Sequence, residues 1–313
     1  MRAITVAFAI LCIALPHGHA DNFLVLHPFY AGSHVLTLHS VTERLIRTGH
    51  HVTTVRFADP NKLTLRPMGP NHTEIVLHLN NSDASIPWTT ISDEGVFELP
   101  MDFIWNDGLD LSTLLSVGTK PWQVMAGFCN NLLGNRALFS RLKAEQFDVA
   151  LVDLIYNECG LALVGQLGVP SVGYWAFSFS NGEAEMTTVA TPPSHVPTFM
   201  SCLSHEMNFA ERLKNFAYKV FARSLMWVQT LYCDSIVRQY YPDSPSTQTL
   251  LGDLSGALLN TDNILDYPRL QPETFVNIGG MQINEKPKPL PQVMQSYVFN
   301  SLVAGKLIVN LEF

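Results

Sequence analysis

The chain has 313 residues, enough for one large α/β domain or two ordinary ones. Hydrophobic residues make up 47% and charged residues 15%, which supports a packed core and excludes wholesale disorder. The net charge of −8 comes without a basic stripe, which excludes the clustered Lys and Arg that a nucleic-acid surface needs.

Residues 1–20 have the layout of a signal peptide. Arg2 supplies the positive start, Ala3 to Leu15 an apolar run of 13 residues, and Pro16 breaks it before the small residues at Gly18-His19-Ala20. That run is short for a bilayer span, so cleavage after Ala20 is expected rather than an uncleaved anchor. Cys12 leaves with the segment; Cys129, Cys159, Cys202 and Cys233 remain and form no Cys-x-x-Cys pair. Disulfides are permitted in such a compartment, and no pairing among the four follows from their spacing. Asn71-His72-Thr73 and Asn80-Asn81-Ser82 are glycosylation acceptors, expected at the surface.

Asn22 to Leu26 is a continuous apolar run and predicts a buried parallel strand. After a loop from Pro28 to Ser33, apolar residues recur at helical spacing from His34 to Ile46, and Gly49 stops the helix. Val52 to Phe57 is a second strand, and Thr73 to Leu79 a third. Residues 80–110 are irregular and 111–145 mainly helical. Asp148 to Asp153 predicts a strand, Glu158 to Leu167 a helix and Ser171 to Tyr174 a strand. Prolines make 176–204 loop-like, 205–240 reads as helix, and Gly256–Asn260 and Thr274–Ile278 are short strands. Helical spacing between Tyr218 and Tyr232, with Lys219 and Arg223, predicts an amphipathic helix packed on the core. Lys286-Pro287-Lys288-Pro289-Leu290-Pro291 is a linker by composition. The alternation predicts a Rossmann-like open parallel sheet with helices on both faces.

In such sheets ligands bind beyond the carboxyl ends of the strands. His34 lies just past the first strand, and Asp153 ends an otherwise apolar one. A buried carboxylate needs a partner, and a His beside a carboxylate is a workable general base. By position alone, His34 reads as a capping or loop residue and Asp153 as a cap on the following helix. Asp148 starts its strand, remote from the crevice. Other site classes are poorly supported. His205-Glu206 lacks a second zinc ligand because position 209 is Phe, and His17 and His19 leave with the signal segment. No Gly-x-Ser-x-Gly elbow or Walker loop occurs, and without an Asp-x-Asp a metal-held sugar nucleotide is not suggested.

Gly32-Ser33-His34, followed by an amphipathic helix and Arg47-Thr48-Gly49-His50-His51-Val52-Thr53, resembles the opening of the animal UDP-glycosyltransferases of the glucuronosyltransferase type. Phe147-Asp148-Val149-Ala150-Leu151-Val152-Asp153 resembles the same family. So does Phe275-Val276-Asn277-Ile278-Gly279-Gly280-Met281 with the Lys-Pro-Leu-Pro that trails it. The order and spacing match to about residue 297, and from Val298 the resemblance is taken to end.

The resemblance implies the acceptor-binding, amino-terminal half of a two-domain GT-B glycosyltransferase. It divides the chain into a signal peptide at 1–20, the Rossmann-like domain at 21–285, and a linker with a divergent tail at 286–313. It implies His34 as catalytic base and Asp153 as its partner, with a UDP-sugar (glucuronic acid or glucose) as co-substrate and no bound cofactor or metal. His50 and His51 read as structural residues between helix and strand. Phe29, Tyr30, Ser33, Trp175 and Phe177 are candidate acceptor-binding residues for a small lipophilic alcohol, phenol or steroid. Inverting transfer in the endoplasmic reticulum lumen is implied, with peripheral membrane contact and association with full-length relatives. The family's donor-binding half and membrane helix are expected to be absent. The chain alone is therefore expected to be inactive, since donor orientation supplies up to about 7–11 kcal/mol of barrier lowering; without the membrane helix, secretion is a further expectation. The alternative expectation is a non-catalytic lumenal protein that binds a lipophile or a full-length relative.

Overall fold

A computed structural model describes residues 21–27, 32–57, 68–77, 125–176, 187, 189–198, 201–264, 266–267, 269–281 and 283. The expected signal segment, Phe29, Tyr30, Asn80, Phe177, the Pro-rich linker and the tail lie outside the described residues.

Seven strands form one parallel sheet: β1 (Asn22–Leu26), β2 (His51–Phe57), β3 (His72–Leu77), β4 (Val149–Asp153), β5 (Ser171–Trp175), β6 (Gly256–Leu259) and β7 (Phe275–Asn277). Their spatial order is β3-β2-β1-β4-β5-β6-β7, so the winding direction reverses between β1 and β4. Among the described residues the helices are α1 (Gly32–Arg47), α2 (residues 125–134), α3 (Arg136–Glu145), α4 (Glu158–Leu167), α5 (Phe209–Tyr240) and α6 (Thr247–Gly252). The sheet is the α/β, Rossmann-like architecture that the alternation of apolar runs predicts. β1 and α4 keep their predicted bounds, while β3 is described only as far as Leu77.

Strand alternation sorts the core onto two faces. Leu24, Leu26, Val55, Phe57, Ala150, Val152 and Trp175 point to one face, where α3, α4 and α5 pack. Val25, Val52, Leu151 and Tyr174 point to the other and meet Leu38 and Val41 of α1. Parity along each strand therefore decides which later side chains can reach α1.

A disulfide joins Cys129 of α2 to Cys159 of α4, with Cα atoms 5.4 Å apart. Cys233 is buried and free, and Cys202 exposed and free. α4 ends on Gly168 at φ 73°, whose N–H bonds back to Gly165 and Val164 carbonyls. Only a residue without Cβ takes that left-handed cap without strain.

α5 departs from its expected form. Its carboxyl-terminal half is packed through Gln229, Thr230, Cys233, Ile236 and Val237. Phe209, Leu213, Phe216, Val220, Trp227 and Leu231, however, form an exposed apolar stripe. The helix has 32 residues, about 48 Å at 1.5 Å each, whereas the strands of the sheet have only 3 to 7 residues. It is longer than α4 and α6, the helices it packs against. Among the described residues no helix is long and apolar enough to cross a membrane.

Candidate active site at the sheet switch point

α1 starts six residues after β1 ends, which sets His34 in its first turn at the carboxyl edge of the sheet. Asp153 ends β4, the strand paired with β1 on the far side of the reversal. Asp153 shares parity with Leu151, so its side chain faces α1. His34 Nδ1 lies 2.9 Å from Asp153 Oδ2. The His34 side chain is 8% exposed and that of Asp153 0%. The other carboxylate oxygen accepts the Ile155 backbone N–H at 3.2 Å, and the Asp153 carbonyl accepts from Asn157 Nδ2 at 2.9 Å. A carboxylate buried this deeply needs such bonds. It meets His34 and closes the turn after β4, but it does not cap α4, whose N-cap is Asn157.

Asp153 orients the ring. With Nδ1–H donated to a carboxylate, Nε2 of the neutral imidazole holds the lone pair that can take a proton, and the carboxylate stabilises the imidazolium that results.

Thr37 and Tyr174 stand outside the residues expected from sequence, yet both join this cluster. Tyr174 donates from its hydroxyl to Thr37 Oγ1 at 2.6 Å, and the Thr37 hydroxyl donates to the His34 carbonyl at 3.2 Å. A polar residue at helical spacing i+3 from His34 was the available signal for Thr37. Tyr174 had none, because the contact spans 137 residues.

The candidate acceptor residues are placed unevenly. Ser33 lies in the first turn of α1. Trp175 is 1% exposed and packs in the larger core on the face away from α1, so the structure does not bring it to His34. Asp148 accepts the Asn22 N–H at 2.7 Å at the opposite, amino edge, as its strand position implies. His50 accepts the Asp21 N–H at 3.2 Å and meets Phe23 edge-on, a structural role. Asn71 sits in the turn before edge strand β3 and is partly exposed. Among the described residues no group of three or more His, Cys, Asp or Glu is placed to hold a metal ion. A shallow cavity of about 250 Å³ on α5 and α6, lined by Val220, Arg223, Ser224, Trp227 and Gln248, includes neither His34 nor Asp153.

On the α1 face of the sheet, a second polar cluster is partly buried. Arg56 donates to Glu74 at 2.6 Å, and His72 lies 3.1 Å from Thr54 Oγ1. His27, 4% exposed, makes no hydrogen bond through either ring nitrogen. Burial, then the nearby Arg56 charge, push its pKa down to about 3.

The chain is 26% identical to UDP-glucuronosyltransferase 1A5 of Rattus norvegicus over 311 residues, covering 96% of this chain and 55% of the relative. It is 27% identical to UDP-glucuronosyltransferase 1A4 of Oryctolagus cuniculus, covering 96% and 54%. It thus spans about half the length of the curated relatives it matches. A solved structure, Arabidopsis thaliana UGT89C1 complexed with UDP-L-rhamnose, aligns with TM-score 0.43 and 12% identity, covering 90% of this chain and 55% of that one. Residues 23–311 match a family of sugar transferases, and the match runs past Val298, where the resemblance was expected to end. The chain belongs to the UDP-glucoronosyl and UDP-glucosyl transferase family.

Proposed function

We propose that this chain supplies the acceptor site and the general base for inverting transfer of a sugar from a UDP-sugar to a small lipophilic hydroxyl compound. The observation that supports this is the His34–Asp153 pair, 2.9 Å apart and buried at the switch point of a parallel sheet. Nε2 of His34 takes the proton of the acceptor hydroxyl as its oxygen attacks the anomeric carbon. Asp153 stabilises the imidazolium, and UDP departs from the opposite face of the sugar, inverting the centre. The names of the relatives make glucuronic acid the first sugar to test and glucose the second. Fused to the donor half of a relative, the chain is expected to glycosylate members of a phenol and steroid panel. His34→Ala should lower kcat by roughly 10²–10⁴-fold, the contribution of a placed base. Unchanged turnover in His34→Ala overturns the assignment.

We place this reaction in the lumen of the endoplasmic reticulum. The Cys129–Cys159 disulfide and the partly exposed Asn71 support that setting. Protein made in a secretory host should shift in mobility on endoglycosidase treatment, and Asn71→Gln should remove part of the shift.

A further inference from the structure

Two neighbouring strand ends grip the first turn of α1. β4 and β5 are paired with Asp153 opposite Tyr174, both at the carboxyl edge. Both side chains face α1 by parity, Asp153 with Leu151 and Tyr174 directly in the core beneath that helix. Asp153 holds the His34 ring at Nδ1. Tyr174 holds its backbone at one remove, because the Thr37 hydroxyl donates to the His34 carbonyl and so must accept from the phenol. The directions are therefore fixed along the chain Tyr174 to Thr37 to His34.

We propose that Tyr174, acting through Thr37, is a positioning residue that fixes the His34 imidazole against Asp153. The catalytic meaning of this rests on the reading of His34 as base. The phenol is suited to the task. It is 1% exposed, and burial first, with a further push from the Asp153 charge, raises its pKa well above the ordinary value, against the opposing bond to Thr37. It stays a donor at neutral pH. A side chain that needed only to fill space here would be Phe, which packs the same ring without a buried hydroxyl to satisfy.

The test reads the geometry of His34 directly, in the chain itself, by nitrogen-15 NMR with labelled histidine. In the wild type the His34 Nδ1–H should be one protected proton on a single tautomer. Tyr174→Phe and the isosteric Thr37→Val should each speed its exchange with water by roughly five- to tenfold, the factor for one hydrogen bond of ordinary net strength. They should also introduce the Nε2–H tautomer. Thr37→Ser, which keeps the hydroxyl, should restore the wild-type signal. The backbone N–H of Val152, in the core of β4, is the control. If the His34 proton is unaffected in both variants, or speeds by the same factor as Val152, Tyr174 is only a packing residue and the proposal fails. Should Tyr174→Phe not fold, Thr37→Val decides alone. This measurement is independent of turnover, so loss of the base reading in the His34→Ala assay and loss of the positioning reading here are separate results.

Discussion

His27 continues β1 on the α1 face of the sheet, where its N–H bonds the Val55 carbonyl at 3.0 Å while its ring finds no partner. A histidine that cannot be solvated and sits near Arg56 stays neutral until about pH 3. In the unfolded chain it protonates near its ordinary value of 6.5. Between those two values the unfolded state binds a proton that the folded state does not. Stability therefore rises with pH across that window: it is full above 6.5 and lost as pH falls toward 3. The slope for one such group is about 1.4 kcal/mol per pH unit. His39 and His72 are also shifted down by burial, against the pull of Glu43 and Glu74 respectively, and add in the same direction. His27→Leu should flatten the acid limb by about one proton's worth and leave the curve above pH 7 parallel to the wild type. Urea unfolding at pH 4, 5, 6 and 7 measures this; an unaltered acid slope would show that His27 protonates in the folded state.

At the scale of elements, α5 anchors the proline-rich segment before it. Asn215, 0% exposed, accepts the Thr198 N–H at 2.7 Å and donates to the carbonyls of Pro193 and Val196 at 2.9 and 2.8 Å. Lys219 reaches the Thr191 carbonyl at 2.6 Å one turn on. A segment with little regular structure thus has its backbone satisfied by one helix face. Asn215→Leu keeps the branched heavy-atom shape but strands those groups, and should cost on the order of 3 kcal/mol. Limited proteolysis should then cut first within 191–198; unchanged resistance would mean the segment is held elsewhere. These contacts show what the sequence could disclose. β1, β4 and β5 were legible because strands buried on both faces are continuous apolar runs. α5 starts at Phe209, four residues beyond the expected start at 205, where Asn208 and Glu211 form a capping box that marks it. His34 and Asp153 were legible as residues that close strand ends on one edge, and so was their approach; the order β1 beside β4 that brings it about was not. The bonds from Asn215, Thr37 and Tyr174 depend on tertiary parity and register, which no local pattern encodes.

At the scale of the whole molecule, the candidate site depends on two halves of the sheet meeting at β1 and β4, and a covalent tie secures one of them. Cys129–Cys159 closes a loop with a sequence separation of 30 that contains all of α3 and β4 and ends in α4, just beyond Asp153. Confining that loop in the unfolded chain should stabilise the fold by about 3–4 kcal/mol. Both cysteines lie in the larger core, so the tie also fixes α4 against α2. The variant Cys129→Ser/Cys159→Ser should melt well below the wild type, and reductant should bring the wild type down to the same temperature. Alkylation resolves the remaining thiols: Cys202, exposed, should react in the native state, whereas Cys233, buried and with its pKa raised chiefly by burial, should react only after unfolding. If reductant leaves the melting temperature unchanged and Cys129 and Cys159 alkylate without unfolding, the tie is not formed in solution, and the support that it gives to an oxidising compartment falls with it.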